Sequence, residues 1–328
     1  MPTPKKIFLA WASTARRSAT LAKFFGAQLF VLPLTRKKVI FRLGQYLILA
    51  IRTFPILLKT KPTLIFVQCP PIYILFPVYL YAKLRKVKYI IDAHTAAFIG
   101  KGFHFAIYLD WLKFFAKRAK MTIIPNEELA KYLANWQIPY FILEDGIPNL
   151  SDFGLPKKEL KIENKVAVIC GFGSDEPIDE IVEAAKLVPN VQFYVTGAYP
   201  KVYTKRSSPN LQFTGFLSES DYIELLKQVD LVAVLTKRES TILCGAYEAL
   251  SLEKPMILSD TKTLSHHFPK GVVRVENTVM AIADGIKNAY TLLPQLQSEI
   301  SQLKLEKIRS WTEQAQKLKR SLEFIADC

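Results

Sequence analysis

The chemistry-bearing residues of this chain fall into a few short stretches. Glu239, Thr241, Gly245 and Glu248 sit in the run from Thr236 to Asp260, between the apolar segments Leu231–Leu235 and Met256–Leu258. Leu243, Ala246, Tyr247 and Leu250 predict a helix from Thr241 to Leu252, which Pro255 stops. Strand, loop, helix and strand in that order imply a parallel sheet, with the loop and helix start at the carboxyl end of a strand. Open α/β sheets bind ligands there, and exposed amides with the helix dipole favour a phosphate. Gly171-Phe172-Gly173-Ser174-Asp175-Glu176 follows another apolar run, Val166–Cys170. Its glycines let a ligand approach the backbone closely, while Ser174 or Asp175 would also cap the next helix. Lys201, Lys205 and Arg206 follow Thr196-Gly197, and Lys237 and Arg238 precede Glu239, so these cations are available to charge developing on a phosphate. Asp92 and His94 lie just past the strand Tyr89–Ile91, where a carboxylate or imidazole can serve as a general base. Arg16 and Arg17 end the loop after the first strand, Lys5–Trp11, and are placed to bind an anionic group.

The elements that must position these groups alternate strand with helix and show no hairpin signal, which predicts an α/β chain of two doubly wound, Rossmann-like domains facing a cleft. The first domain, 1–150, carries strands near Lys5–Trp11, Leu29–Leu32, Leu64–Gln68, Tyr89–Ile91, Met121–Ile124 and Tyr140–Leu143. Ile147–Lys161, aperiodic and containing Pro, Asn and Lys, is read as the linker. The second domain, 151–310, opens at Val166. A long helix from about Glu299 ends the chain, with 311–328 returning to the first domain. Leu43–Leu58 is apolar but interrupted by Arg52, too short to span a bilayer. It is either a core helix or one lying in a membrane interface.

The net charge of +15 on 328 residues is uneven. Residues 1–150 hold 22 Lys and Arg against 6 Asp and Glu, and 151–328 hold 22 against 23. The first half should therefore face something anionic, such as a lipid headgroup surface, a diphosphate-linked substrate or nucleic acid. Nucleic acid ranks last, because Tyr73, Phe76 and Tyr79 lie in an apolar helix rather than alternating with cations on a stacking surface. Four cysteines without short spacing or paired histidines argue against a disulfide framework and a metal site, and fit a reducing compartment. The apolar run Ile7–Trp11 is too short for a signal-peptide core, which points to the cytoplasm.

Glu248-Ala249-Leu250-Ser251-Leu252-Glu253-Lys254-Pro255 resembles the donor-site segment of GT-B glycosyltransferases, the group 1 or family 4 type. The resemblance implies that Glu248 binds the ribose hydroxyls of a nucleotide-sugar, with Gly171, Gly173, Lys201, Lys205, Arg238, Thr241 and Gly245 around the donor. It also sets Glu239 against the donor sugar, although Glu239 stands nine positions before Glu248 rather than eight and no Phe-Gly follows it. Asp175-Glu176 replaces the Arg and Lys usual in retaining members. Together with Gln68-x-Pro70-Pro71 and Ile90-Ile91-Asp92-x-His94, it is similar to the diphosphodolichol-chitobiose β-mannosyltransferases, which invert configuration. Ser310-Trp311-Thr312-Glu313-Gln314-Ala315 resembles the segment that closes the GT-B fold. The resemblance implies a metal-independent hexosyltransferase without cofactor, using a UDP- or GDP-sugar as co-substrate. It would act on a lipid-linked or polysaccharide acceptor, peripherally at the inner face of the membrane. Asp92 or His94 would be its base, with Arg16 and Arg17 on the acceptor diphosphate. The alternatives are a sugar-nucleotide 2-epimerase of the same fold and a non-catalytic partner subunit.

Overall fold

The computed structural model describes residues 5–13, 15–34, 39–100, 102–150, 164–206, 208–239 and 241–324. The chain divides into two units, Met1–Gly146 with Ser310–Cys328, and Ile147–Arg309.

The first unit runs β1 (Lys6–Trp11), α1 (Arg16–Phe25), β2 (Gln28–Leu32), α2 (Val39–Thr60), β3 (Leu64–Cys69), α3 (Leu75–Arg85), β4 (Lys88–Ala93), α4 (Phe103–Ala116), β5 (Met121–Ile124), α5 (Glu127–Asn135) and β6 (Tyr140–Ile142). Its six strands are parallel in the order β2-β1-β3-β4-β5-β6. Strands such as Leu64–Cys69, apolar except for Gln68, read as near-continuous apolar runs because helices cover both faces of the sheet. One face packs under α2, α3, α4 and α5 and buries Leu57, Val78 and Phe115. The other stacks Phe8, Phe25 and Phe66 under α1 and the end of the last helix, through Ala315, Leu318 and Leu322.

The second unit runs β7 (Lys165–Val168), α6 (Ile178–Lys186), β8 (Gln192–Thr196), β9 (Leu211–Gly215), α7 (Glu219–Gln228), β10 (Leu231–Val234), α8 (Cys244–Ser251), β11 (Met256–Ser259), α9 (Lys262–His267), β12 (Val272–Val275) and α10 (Val279–Thr291). Its sheet is also parallel, in the order β12-β11-β10-β7-β8-β9. Strand order reverses between β7 and β10, so the crevice beyond their carboxyl ends is the expected ligand position. In the first unit the reversal falls between β1 and β3. The final helix, α11 (Leu293–Phe324), begins in the second unit, and its residues from Ser310 onward belong to the first.

Several local expectations shift. Arg16 and Arg17 are in the first turn of α1 rather than in the loop. The helix around Pro77 starts as a short 3-10 turn, Ile72–Ile74, and α3 proper begins at Leu75. Pro77 is then in the first turn, where no intrahelical N–H is required. Pro294 similarly falls at the start of α11, which therefore begins before Glu299. α8 begins at Cys244, and Thr241 to Leu243 precede it. The short α9, capped by Thr261 through the Leu264 N–H, carries no sequence periodicity long enough to predict it. Most of the expected linker, with Arg36, Lys37 and Lys38, lies outside the described residues. Among the described residues no helix is long and apolar enough to cross a membrane.

Candidate functional site

In the second unit the loops after β7, β10 and β11 are tied together at the strand ends. The Thr236 Oγ1 donates to Asp175 Oδ2 at 3.2 Å, the Lys237 N–H donates to the Asp175 carbonyl at 2.6 Å, and the Thr236 N–H donates to Ser259 Oγ at 2.9 Å. The Ser259 hydroxyl in turn donates to Asn277 Oδ1 at 2.8 Å. Gly197, at φ +104°, brings the β8 loop against this group: a Cβ there would lie 2.1 Å from the Cys170 carbonyl oxygen. No other residue type fits that position.

Glu248 lies in α8, 7% exposed, and accepts a hydrogen bond from the Tyr222 hydroxyl of α7. A buried carboxylate must be hydrogen-bonded to stay, and Tyr222 fixes its direction. Gly245, in the first turn of α8, allows the helix to pack on the β7 loop, since a Cβ would come within 2.9 Å of Ile169 Cδ1. Thr241 Oγ1 is buried and has no hydrogen-bond partner in the structure, the condition of a group awaiting a ligand. Glu239 Oε1 accepts the Lys262 N–H at 2.6 Å, which places it at the start of α9.

The glycine loop already holds an anion, its own. The Gly171 N–H donates to both Glu176 carboxylate oxygens, at 2.9 and 3.1 Å, and the Gly173 N–H donates to Glu176 Oε2 at 2.6 Å. An anionic ligand reaching these amides has to replace the Glu176 carboxylate. Beside the loop is a cavity of about 300 Å³ lined by Phe172, Gly173, Glu176, Asp179, Glu180 and Lys237 among others. The cations nearby are engaged with acids of the cavity and of the loop beside it. Lys237 Nζ is 2.8 Å from Glu180 Oε1, Arg238 Nη2 is 3.2 Å from Asp175 Oδ1, and Arg206 pairs with Asp179. Lys201 is exposed on the 3-10 turn Lys201–Lys205, and the Lys205 side chain lies outside the described residues.

In the first unit Asp92, Arg17 and His94 meet at the strand ends. Asp92 is fully buried near the end of β4. The Arg17 Nε donates to its Oδ1 at 2.9 Å, and His94 Nε2 lies 3.1 Å from its Oδ2. Arg17 also donates to Asp145 Oδ1 at 2.6 Å and to the Leu143 carbonyl at 2.9 Å. Burial alone would push the Asp92 carboxyl up; Arg17, then His94, overrides it and holds the group below the usual carboxylate range. Asp92 is therefore an ionised carboxylate that orients His94, whose ring is the half-exposed member of the pair. The guanidinium of Arg17 is spent on three internal acceptors, while Arg16 beside it is half-buried.

The sequence matches no family model, and no curated relative matches it. Solved structures do. Sucrose-phosphate synthase from Thermosynechococcus elongatus superposes with a TM-score of 0.71 at 13% identity, covering 98% of this chain and 99% of the other. HepE from Anabaena, in a crystal structure with UDP-glucose, gives 0.70 at 13% identity over 98% and 99%. UDP-GlcNAc 2-epimerase from Methanocaldococcus jannaschii gives 0.58 at 11% identity over 86% and 92%. The fold is GT-B. Its two parallel six-stranded sheets and the terminal helix returning to the first unit are those of that architecture.

Sequence reasoning missed three participants in these loops. Tyr222 has no spacing relation to Glu248, and nothing in the order of residues pairs them. Asp145 reads as a chain turn beside Gly146, yet it shares Arg17 with Asp92. Glu176 stands in the sequence only beside Asp175 as part of a resemblance, with no role of its own, yet its carboxylate turns back into the glycine amides. Only the last had a local signal, an acid three residues after a glycine whose amide it can reach.

Proposed function

We propose that this protein is a glycosyltransferase that moves a sugar from a UDP- or GDP-sugar to a lipid-linked or glycan acceptor at the cytoplasmic face of a membrane. The observation that carries the reading is Glu248. It is a buried carboxylate of α8 fixed by Tyr222, and the unpartnered Thr241 hydroxyl lies in the segment between β10 and that helix, β10 being one of the two strands between which the sheet order reverses. Glu248 accepts the ribose hydroxyls of the donor, and Thr241 supplies a further hydrogen bond. HepE, of the same fold, binds UDP-glucose.

In the transfer, His94 takes the proton of the acceptor hydroxyl, and Asp92 holds the ring and stabilises the imidazolium. The acceptor oxygen bonds to the sugar's anomeric carbon as the bond to the diphosphate oxygen breaks, and the nucleoside diphosphate leaves. Its charge needs cations. Lys237 and Arg238 reach it by leaving Glu180 and Asp175, partly exposed pairs of a kind worth about 0–1 kcal/mol each. A fully charged diphosphate outbids such contacts. Arg17, committed to Asp92 and Asp145, positions the base rather than the acceptor diphosphate in this scheme.

A 2-epimerase reading is favoured by one observation, the match to UDP-GlcNAc 2-epimerases at TM-scores of 0.62 and 0.58. Thermal-shift screening against UDP, GDP, ADP and TDP and their sugar conjugates tests both. A ligand at about 100 times its Kd adds about 2.7 kcal/mol of stability. A shift with one nucleotide, lost in Glu248→Ala, supports the donor site. Conversion of the bound sugar-nucleotide without acceptor favours the epimerase, and no shift with any nucleotide sinks both.

A further inference from the structure

The helices over one face of the first sheet are apolar on the side they turn away from the core. In α2, Leu49, Thr53 and Leu57 face inward, while Leu47, Ile48, Ile51 and Leu58 are exposed, Leu47 by 64%. A surface helix normally turns charge outward, so this pattern needs a second apolar neighbour. α3 repeats it. Tyr73 in the 3-10 turn before it and Phe76 in its first turn, with Leu80 and Leu84 further on, are exposed, Leu84 by 72%. α4 adds Phe103, Ile107 and Trp111, with Phe103 at 77%.

These stripes make one continuous surface. The Tyr46 ring of α2 stacks on Tyr73 at 4.4 Å, and Phe76 of α3 meets Trp111 of α4 at 5.2 Å. Single exposed apolar residues are ordinary, but a patch continuous over three helices marks a docking surface. Cations accompany it. Arg52 and Lys59 are exposed on α2, Lys83 and Arg85 on α3, and Lys117 and Arg118 just after α4. α2 and α3 contain no acidic residue, and α4 contains only Asp110.

We propose that the outer face of α2, α3 and α4 docks on an anionic lipid bilayer, its Leu, Ile and Phe side chains entering the headgroup boundary and its Lys and Arg side chains contacting lipid phosphates. Exposed aliphatic side chains, aromatic Trp111 and Tyr73, and exposed cations are the composition of helices that lie in a membrane interface. A second copy fits poorly, because residues 1–150 carry 22 Lys and Arg against 6 Asp and Glu, and pairing two such faces sets like charge against like. The face deepens the functional reading by naming the surface on which a lipid-linked acceptor would be met, and it rests on that reading only for this role.

The test is flotation of the full chain with vesicles of neutral phosphatidylcholine alone and with added phosphatidylglycerol, alongside thermal-shift measurements with UDP, GDP, ADP and TDP on the same samples. Expected is binding to the anionic vesicles that weakens with salt, falls at least tenfold in Leu47→Glu/Ile51→Glu, and falls similarly in Arg52→Glu/Lys83→Glu. The exposed positions leave the fold intact, which an unchanged melting temperature verifies. Equal binding to neutral and anionic vesicles overturns the proposal, as does binding indifferent to both double variants. A concentration-dependent dimer that Leu47→Glu/Ile51→Glu dissolves, without vesicle binding, also overturns it and gives the face to a second copy. Vesicle binding without any nucleotide response refutes the transferase reading alone, and the converse refutes this face alone.

Discussion

Replacing Arg17 by Met tests whether the Asp92 network is electrostatic. Methionine keeps most of the apolar stem and removes the guanidinium. Arg17 and Asp92 have side-chain exposures of 8% and 0%, so the change leaves a buried carboxylate with His94 as its remaining ionic partner, and takes a donor from the Leu143 carbonyl. Breaking a buried pair from one side costs about 3–5 kcal/mol. Asp145 is 24% exposed and can rehydrate, so the lower end of that range applies. A loss of about 3 kcal/mol corresponds to a fall in Tm of about 6–12 °C near neutral pH for a domain of this size.

The pH dependence separates charge from packing. In the native protein Asp92 is held below the usual carboxylate range, so its stabilisation is complete above the ordinary value and is lost as pH falls through the depressed one. Without Arg17, burial dominates and raises the folded value above the unfolded one, so protonation relieves the variant as pH falls. The gap in Tm between the two proteins is therefore widest near pH 7 and narrows toward about pH 4–5. His94 also contacts Asp92, so the comparison is repeated in a His94→Gln background, where the narrowing persists if it belongs to Asp92. Cys69, the other titratable group beside Asp92, stays a neutral thiol, because burial pushes it up to about 12. Thermal melts read by fluorescence across that pH range decide the matter. A gap that is constant with pH, or below about 2 °C throughout, refutes the electrostatic account.

Further outcomes follow from the other loops. Glu176→Gln removes the internal carboxylate from the Gly171 and Gly173 amides, so nucleoside diphosphate should bind more tightly, by about tenfold for each 1.4 kcal/mol of repulsion relieved; calorimetric titration showing weaker binding would mean that Glu176 builds the loop rather than blocks it. Cys244, exposed at the start of α8, should be alkylated well before Cys69 and Cys170 in a Cys328→Ser background, and the nucleotide that stabilises the protein should slow the reaction. Mass spectrometry of the labelled peptides reads both effects. Trp311→Ala should cost about 2–4 kcal/mol, since the indole donates to the Glu144 carbonyl at 3.1 Å and packs on Phe24 at 5.2 Å. Urea denaturation measures it, and a loss under 1 kcal/mol would show that the terminal helix docks without it.

The architecture was legible because parallel sheets announce themselves. Leu64–Val67 and Leu231–Val234 are uninterrupted apolar runs of strand length, and each is followed within a few residues by a run of helical length. The helix that carries Glu248 was legible as well, because Ala249, Leu250 and Pro255 fix its face and its end. The short α9 escaped notice because six residues hold less than two helical turns of pattern. The Leu43–Leu58 segment read as either a core or an interface helix because it is apolar on both sides, and the exposure of Leu47 and Ile51 is a tertiary fact.

The cations show why the rest was hidden. Lys237, Arg238 and Arg206 were expected near strand ends, and their basic character suggested a waiting diphosphate. A parallel sheet, however, sends every strand end to the same edge, so residues far apart in sequence become neighbours there. Lys237 finds Glu180, 57 positions earlier, and Arg17 finds Asp145, 128 positions later. A side chain with a charge and several rotatable bonds takes the nearest opposite charge, and sequence does not reveal which one that is. The distinction that matters is burial. Arg17 is held between two carboxylates where water hardly reaches, so it organises the site and does not leave it. Lys237 and Arg238 stand at 45% and 46% exposure in pairs that cost little to open, so they remain available to a ligand. Of the basic residues the sequence offers, exposure thus separates those that build the site from those that can serve in it.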